Sequence, residues 1–341
     1  MFARIRTRVR LHPYSTAARL AVAALLVILV AGRAVDEVGL LAFTAHLDSL
    51  EVPPSGDTLT TSEWSFAFQD TECFVSVGIS EDAVSCAEQV PTSDVFSSRG
   101  RVRQRYVRRL VDALAQGDVV RQVLDDLRAA RDRLELDSDE YLELMVHAVQ
   151  AIPYGTVDAD IELLAEMLAE GSGVCTEKSL LLAAMMVREG YDTVLWVFDA
   201  QHHVALGVAG ESARFRGSEY TFIETTATRY IGQAEAKYTG YAAYVQPPAL
   251  IRLGGKRSYG ATREVEFLLR QLRLAEQDRA FGERYAAHAA RASGSQREEY
   301  ARRAEEHLAA TRVESFIISN AHDRVGAYKA LVYDSPLLRT P

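Results

Sequence analysis

The stretch EGSGVCTEKSLLLAAMM, Glu170–Met186, limits the folds open to this chain more than any other. From Leu180 to Val187 every residue is apolar. A helix over this run has no face to offer to water and must be enclosed by other elements. Gly171 and Gly173 precede it, and Gly190 stands where a helix from Cys175 to about Glu189 would stop. Three runs downstream supply an enclosure: TVLWVF, HVALGV and YTFIET. They are rich in β-branched and aromatic residues and are separated by polar turns, the pattern of successive strands. A buried helix followed by strands on short connections predicts an α+β fold, with the central helix packed on an antiparallel sheet.

The rest of the chain reads as additions to that core. A hydrophobic content of 48% with 25% charged residues is that of a globular protein. The net charge of −9 includes five arginines within residues 1–19 and no acid there. The body is therefore more acidic than the total, which argues against nucleic acid as the partner because a run of phosphates would go unneutralised. The basic segment 1–19 leads into LAVAALLVILVAG. Counted over 17–35, with Arg19 and Arg33 snorkelling, this run has the length of a membrane-spanning helix. A basic flank before an apolar run is inserted with its N-terminus inside. The expectation is a single-pass anchor with the bulk outside the cytoplasmic membrane; the alternative is a signal peptide that is removed, yielding a secreted protein. Arg33 within Gly32-Arg33-Ala34 makes a poor cleavage site and favours the anchor. Residues 36–62 read as a linker and 63–99 as a small strand-rich region. From 100 to 260 amphipathic helices lead into the core, and 261–334 read as a charged helical hairpin broken at Ser293-Gly294-Ser295, a possible arm for a protein partner. The helix containing SDEYLELMVHAVQAI is expected to start on a Ser138 cap.

Cys73 and Cys86 would close a small loop in an oxidising compartment, which leaves Cys175 over. A leftover cysteine outside the cytoplasm is an intermolecular bridge or a reactive thiol. Cys175 heads its helix, where the dipole and unpaired N–H groups favour thiolate over thiol. The competing reading is an inert core thiol. A base is at hand in His202 or His203, at the start of HHVALGV. If that strand turns back around Ala213 and Arg214, His203 faces Glu224, Leu206 faces Thr221 and Val208 faces Glu219. Opposed residues share a face, so this register delivers a carboxylate to an imidazole. No phosphate-cradling glycine loop appears, and the Cys and His spacings close no zinc site, so neither cofactor nor metal is expected.

GSGVCTEKSLLLAAMMVREGYDTVLWVF, HHVALGV and YTFIETT together resemble the transglutaminase-like superfamily, a branch of the papain-like cysteine enzymes, and its microbial members in particular. The resemblance covers residues 145–235. It implies that Cys175 is the nucleophile, His203, followed by the apolar strand, the base in preference to His202, and Glu224 the acid that orients it. VQAIPYG adds Gln150 as an oxyanion donor. Glu stands where Asp is commoner in that family, and Ala205 where a tryptophan is frequent. The implied activity is acyl transfer from amide bonds of a peptide or protein substrate through a thioester, with hydrolysis favoured over cross-linking. A catalytically silent scaffold of the same fold at the membrane surface is the alternative.

Overall fold

The computed structural model describes residues 37–47, 59–98, 100–156, 161–234, 237–238, 241–242 and 246–334. The chain divides into two compact units, Met1–Ala45 and His46–Pro341. Helix α1 covers 37–47; the remaining elements belong to the second unit. The apolar run at 17–35, expected to be an anchor or signal peptide, lies outside the described residues. Among those described, no helix is long and apolar enough to cross a membrane.

The second unit opens with a long hairpin, β1 (Leu59–Phe68) and β2 (Thr71–Ser80), closed by Gln69 and Asp70. Gln69 takes a left-handed φ of 52°. Such a two-residue turn matches the twist of the flanking strands. On β2 the side chains of Cys73, Val75, Val77 and Ile79 are buried while Phe74 is exposed, the alternation of a sheet with one face on a core. Two short helices follow, α2 (Glu81–Glu88) and α3 (Thr92–Ser97). Two expectations are corrected here. The segment 36–62 is not all linker: it contains α1 and the first residues of β1, whose polar LTTS hides a strand that its partner completes. The region 63–99 is strand-rich only to Ser80, because the Ser80 hydroxyl accepts from Ala83 N and caps α2.

Helices α4 (Gly100–Gln116), α5 (Asp118–Leu134), α6 (Ser138–Gln150) and α7 (Leu164–Glu170) lead to the central helix α8 (Cys175–Arg188). The cap of α6 is Asp137 rather than Ser138. Its carboxylate accepts from Asp139 N and Glu140 N, and Glu140 reaches back to Asp137 N. Every residue of α8 from Cys175 to Met186 is buried. The sheet beside it has the order β5-β4-β3-β8, all pairs antiparallel, with β3 Thr193–Phe198, β4 His203–Ala209, β5 Tyr220–Ile223 and β8 Ala249–Gly254. A two-stranded ribbon, β6 (Lys237–Tyr238) and β7 (Tyr241–Ala242), precedes β8. The α+β class is therefore as expected. One sheet face carries Val194, Trp196, Phe198, Ala205, Tyr220 and Phe222, with the Trp196 ring stacked 5.5 Å from Phe222. Ser179 Oγ, on α8, donates to the Val204 carbonyl at 3.2 Å and meets Thr225 Oγ1 at 3.1 Å, which fixes α8 against β4 and the end of β5.

The C-terminal part is more than a hairpin. Helices α9 (Thr262–Ala289) and α10 (Ser295–Leu308) pair across the turn at Gly294, and α11 (Thr311–Ser319) and α12 (Arg324–Lys329) fold back on α9. Their core includes Leu268, Leu272, Val313 and Ile317, together with Tyr230 from the loop after β5. The Tyr230 hydroxyl donates to the carbonyls of Ile317 and Asn320, so these helices are fastened to the strand that leads to Glu224.

Candidate active site

Cys175 is the first residue of α8 and is 5% exposed. Glu177, two residues on, accepts from Val174 N at 2.8 Å and Glu162 N at 3.0 Å. Its carboxylate thus caps the N-terminus of the helix and ties it to the preceding loop. That loop is held close as well: Gly173 N donates to the Pro153 carbonyl and Gly155 N to that of Gly173.

His203 arrives from the opposite side. Between β3 and β4 the chain makes a 3-10 turn over Asp199–Gln201, then His202 adopts φ 47° and ψ 45°. This left-handed residue reverses the chain and starts β4 at His203, paired with Phe198. Arg103 on α4 steadies the turn by an ion pair to Asp199, Nη2 to Oδ1 at 3.0 Å. His202 is not placed as a base. Its side chain is exposed, while its carbonyl lies 3.8 Å from Cys175 Sγ and accepts from the thiol.

Glu224 closes the set. His203 Nε2 lies 3.2 Å from Glu224 Oε2, with both side chains buried. The register that delivers this contact is not the one expected. Strand β4 pairs with β5 as Leu206↔Ile223, Gly207↔Phe222 and Val208↔Thr221, two residues away from the pairing of His203 with Glu224. The turn is built differently from a symmetrical one, with Phe215–Gly217 forming a 3-10 segment and Ala213 and Arg216 both left-handed. A slip of two preserves the face, because strand side chains alternate with period two. Glu224 therefore reaches His203 diagonally. Its other oxygen accepts from Thr225 N, Thr226 N and Thr226 Oγ1 at 2.8–3.1 Å. The two threonines after the acid hold its carboxylate in one orientation.

The electrostatics are those of a coupled pair. For Cys175, burial opposes the thiolate, but hydrogen bonding and charge from His203, with the Val204 N–H and Thr176, bring the thiol below its ordinary value. For His203, burial opposes the imidazolium, but Cys175 and then Glu224 outweigh it and raise the ring to about 9. Burial works against the Glu224 carboxylate too, and His203 and Thr226 hold it below the ordinary range. With Nε2 directed at Glu224, the two shifts, thiol down and ring up, run in the direction that favours a thiolate–imidazolium pair.

No protein-family model matches the chain, and neither any curated protein nor any solved structure shows a significant match.

The remaining site residues fall elsewhere. Gln150, expected as an oxyanion donor, has its side-chain amide engaged by backbone groups. Its Nε2 donates to the carbonyls of Glu224 (2.8 Å) and Arg229 (3.2 Å), and its Oε1 accepts from Arg229 N. The side-chain amide braces the loop behind Glu224, with both of its polar atoms engaged by backbone groups. Cys73 and Cys86 are both free thiols, so the expected disulfide is absent. Cys73 is an inward-facing residue of β2, where burial pushes its thiol up, whereas Cys86 lies on α2. Alternation within a strand accounts for a buried cysteine without a bridge.

Lys178, three residues after Cys175 on α8, has a structural role of its own. It is fully buried, and its Nζ donates to the carbonyls of Ile152 (2.6 Å) and Gln150 (3.3 Å) at the C-terminal end of α6. Burial lowers the ammonium to about 8, against the pull of Glu224. The signal was a lysine two residues before the apolar run Leu180–Val187, on the same helix, since such a residue must find partners when enclosed.

Proposed function

We propose that the protein is a transglutaminase-like cysteine hydrolase or acyltransferase acting on amide bonds of peptide or protein substrates. The observation that carries this reading is the convergence of three distant segments: a buried thiol at a helix N-terminus, a buried imidazole, and a carboxylate 3.2 Å from its Nε2. An inert core thiol has no use for an oriented imidazole.

In this mechanism the Cys175 thiolate attacks the substrate carbonyl carbon and the π electrons move onto oxygen. N–H groups of the first turn of α8 stabilise that oxyanion. As the tetrahedral species collapses, the C–N bond breaks and His203 gives its proton to the departing amine, leaving a thioester. Neutral His203 then takes a proton from water, the hydroxide displaces sulfur, and the acid product leaves with the thiolate–imidazolium pair restored. Glu224 keeps the ring in one tautomer and stabilises its cation. An amine in place of water gives cross-linking; hydrolysis is favoured because water needs no binding site of its own.

The decisive measurement is the rate of iodoacetamide alkylation of Cys175 against pH, in the wild type and in His203→Ala, with Cys73 and Cys86 followed by mass spectrometry. Reaction well below the thiol's reference pKa of about 8.5, lost in the variant, supports the pair. A Cys175 inert at every pH until unfolding sinks it and leaves the silent scaffold, a reading favoured by the near-complete burial of the sulfur. We further propose that residues 17–35 tether the domain on the outer face of a membrane; a reporter fused to the C-terminus that is active only in the cytoplasm would refute this.

A further inference from the structure

A cavity of about 410 Å³, lined by none of Cys175, His203 and Glu224, opens to solvent between α9 and the β4–β5 connection at Ala213–Arg214. Arginine dominates its lining although the chain carries a net charge of −9. Arg263, Arg270 and Arg273 line it from one stripe of α9, Arg214 lines it from the loop, and Glu266 is the only acid. That carboxylate is engaged, accepting from Ala213 N at 2.7 Å. Among the described residues Arg263, Arg270 and Arg273 have no carboxylate partner, whereas Arg279, further along the same helix, pairs with both Glu283 and Glu314. Arg270 lies over the Phe267 ring at 5.8 Å, which limits the directions its guanidinium takes. The floor is Gly232, at φ +97°, where an added Cβ would come within 3.1 Å of Val265 and 3.3 Å of Ala213.

Like charges gathered around one concavity raise the energy of the empty protein, and a multivalent anion relieves it. Guanidinium forks match tetrahedral oxyanions bidentately, and the volume falls in the usual range for small-ligand sites. We propose that this cavity is a binding site for a phosphate-bearing ligand, held between the α9 arginines and Arg214. The ligand sits at the opposite end of the 224–232 loop from Glu224. The assignment stands independently of any activity at Cys175.

The test uses the full-length protein and two soluble probes, inorganic pyrophosphate and dihexanoyl phosphatidylglycerol below its micellar concentration. Binding is followed by calorimetry at physiological ionic strength in the wild type, Arg270→Ala/Arg273→Ala and, as a control, Arg291→Ala. In parallel, phenylglyoxal modification of individual arginines is mapped by mass spectrometry in the wild type alone, which needs no variant to fold. The expected result is saturable binding, weakened roughly tenfold or more in the double variant as charge-assisted contacts are lost and unchanged in the control, with Arg270 and Arg273 protected from phenylglyoxal and Arg291 not. Binding of pyrophosphate assigns a soluble phosphate ligand; binding of the lipid alone, with the same protection, assigns a headgroup. Equal binding by the double variant, unprotected cavity arginines, or no binding of either probe overturns the proposal.

Discussion

Glu224 divides its carboxylate between two tasks, with Oε2 on His203 and Oε1 on the threonines that follow it. Glu224→Gln keeps the shape but removes the charge that helps raise the ring to about 9. Activity is expected to follow a bell, rising as Cys175 ionises below its ordinary value and falling as His203 loses its proton. In Glu224→Gln the alkaline limb moves to lower pH, because the imidazolium loses its stabilising anion. The acid limb stays in place or moves slightly down, because the imidazolium keeps its full charge while one nearby anion is gone. The rate at the optimum should drop roughly 10²- to 10⁴-fold, the range for disabling an acid–base partner. A pH–rate profile measures all three. Lys178→Met tests the brace one layer out. It leaves the carbonyls of Gln150 and Ile152 without their donor, at a cost of about 1–3 kcal/mol in urea unfolding for the unsatisfied groups.

At the scale of the element, strand β4 has two obligations: it begins with His203, and it passes beneath Trp196 on its neighbour. Gly207 meets the second. A Cβ there would lie 2.6 Å from Trp196 Cη2 and 2.9 Å from Val194 Cγ2. The indole cannot yield, being stacked on Phe222 and 5.0 Å from Phe215. Gly207→Ala, a change that would strengthen most strands, is therefore expected to destabilise by about 1–3 kcal/mol through overpacking, measured by denaturant midpoint. Ala205, where the resembled family often has tryptophan, pairs across the ladder with Trp196. The large ring is supplied from the adjacent strand on the same face, so a small residue at 205 is what the packing requires.

For the whole molecule, the join between the core and the C-terminal helices runs through buried charge. Arg324 on α12 donates from Nε to Glu143 of α6 at 2.6 Å and also pairs with Glu264 of α9, while the Tyr259 hydroxyl meets Glu143. Burial lifts the Glu143 carboxyl to about 7 even with Arg324 beside it. Arg324→Met strands that carboxylate, with an expected loss of about 3–5 kcal/mol, and adding Glu143→Gln should recover part of it; thermal or urea unfolding of both variants gives the coupling. Much of this was legible in order but not in contact. Composition and periodicity sufficed for the α+β class, because a helix apolar on all sides can only be a centre, and the β-branched and aromatic runs that follow it supply strands to enclose it. Cys175 and His203 stood out because each begins an element, and Glu224 because a hairpin return and the Glu-Thr-Thr run placed an acid near His203. The sequence alone does not contain the two-residue shift between β4 and β5, which depends on left-handed turn residues at Ala213 and Arg216. Nor does it contain the brace of Gln150 on the 224–229 loop, the burial of Lys178 at the end of α6, or the free state of Cys73 and Cys86. Local pattern selects the element and its buried face. Which partner meets that face, and which polar atom meets which, is decided only when segments far apart in the chain compete for the same enclosed space.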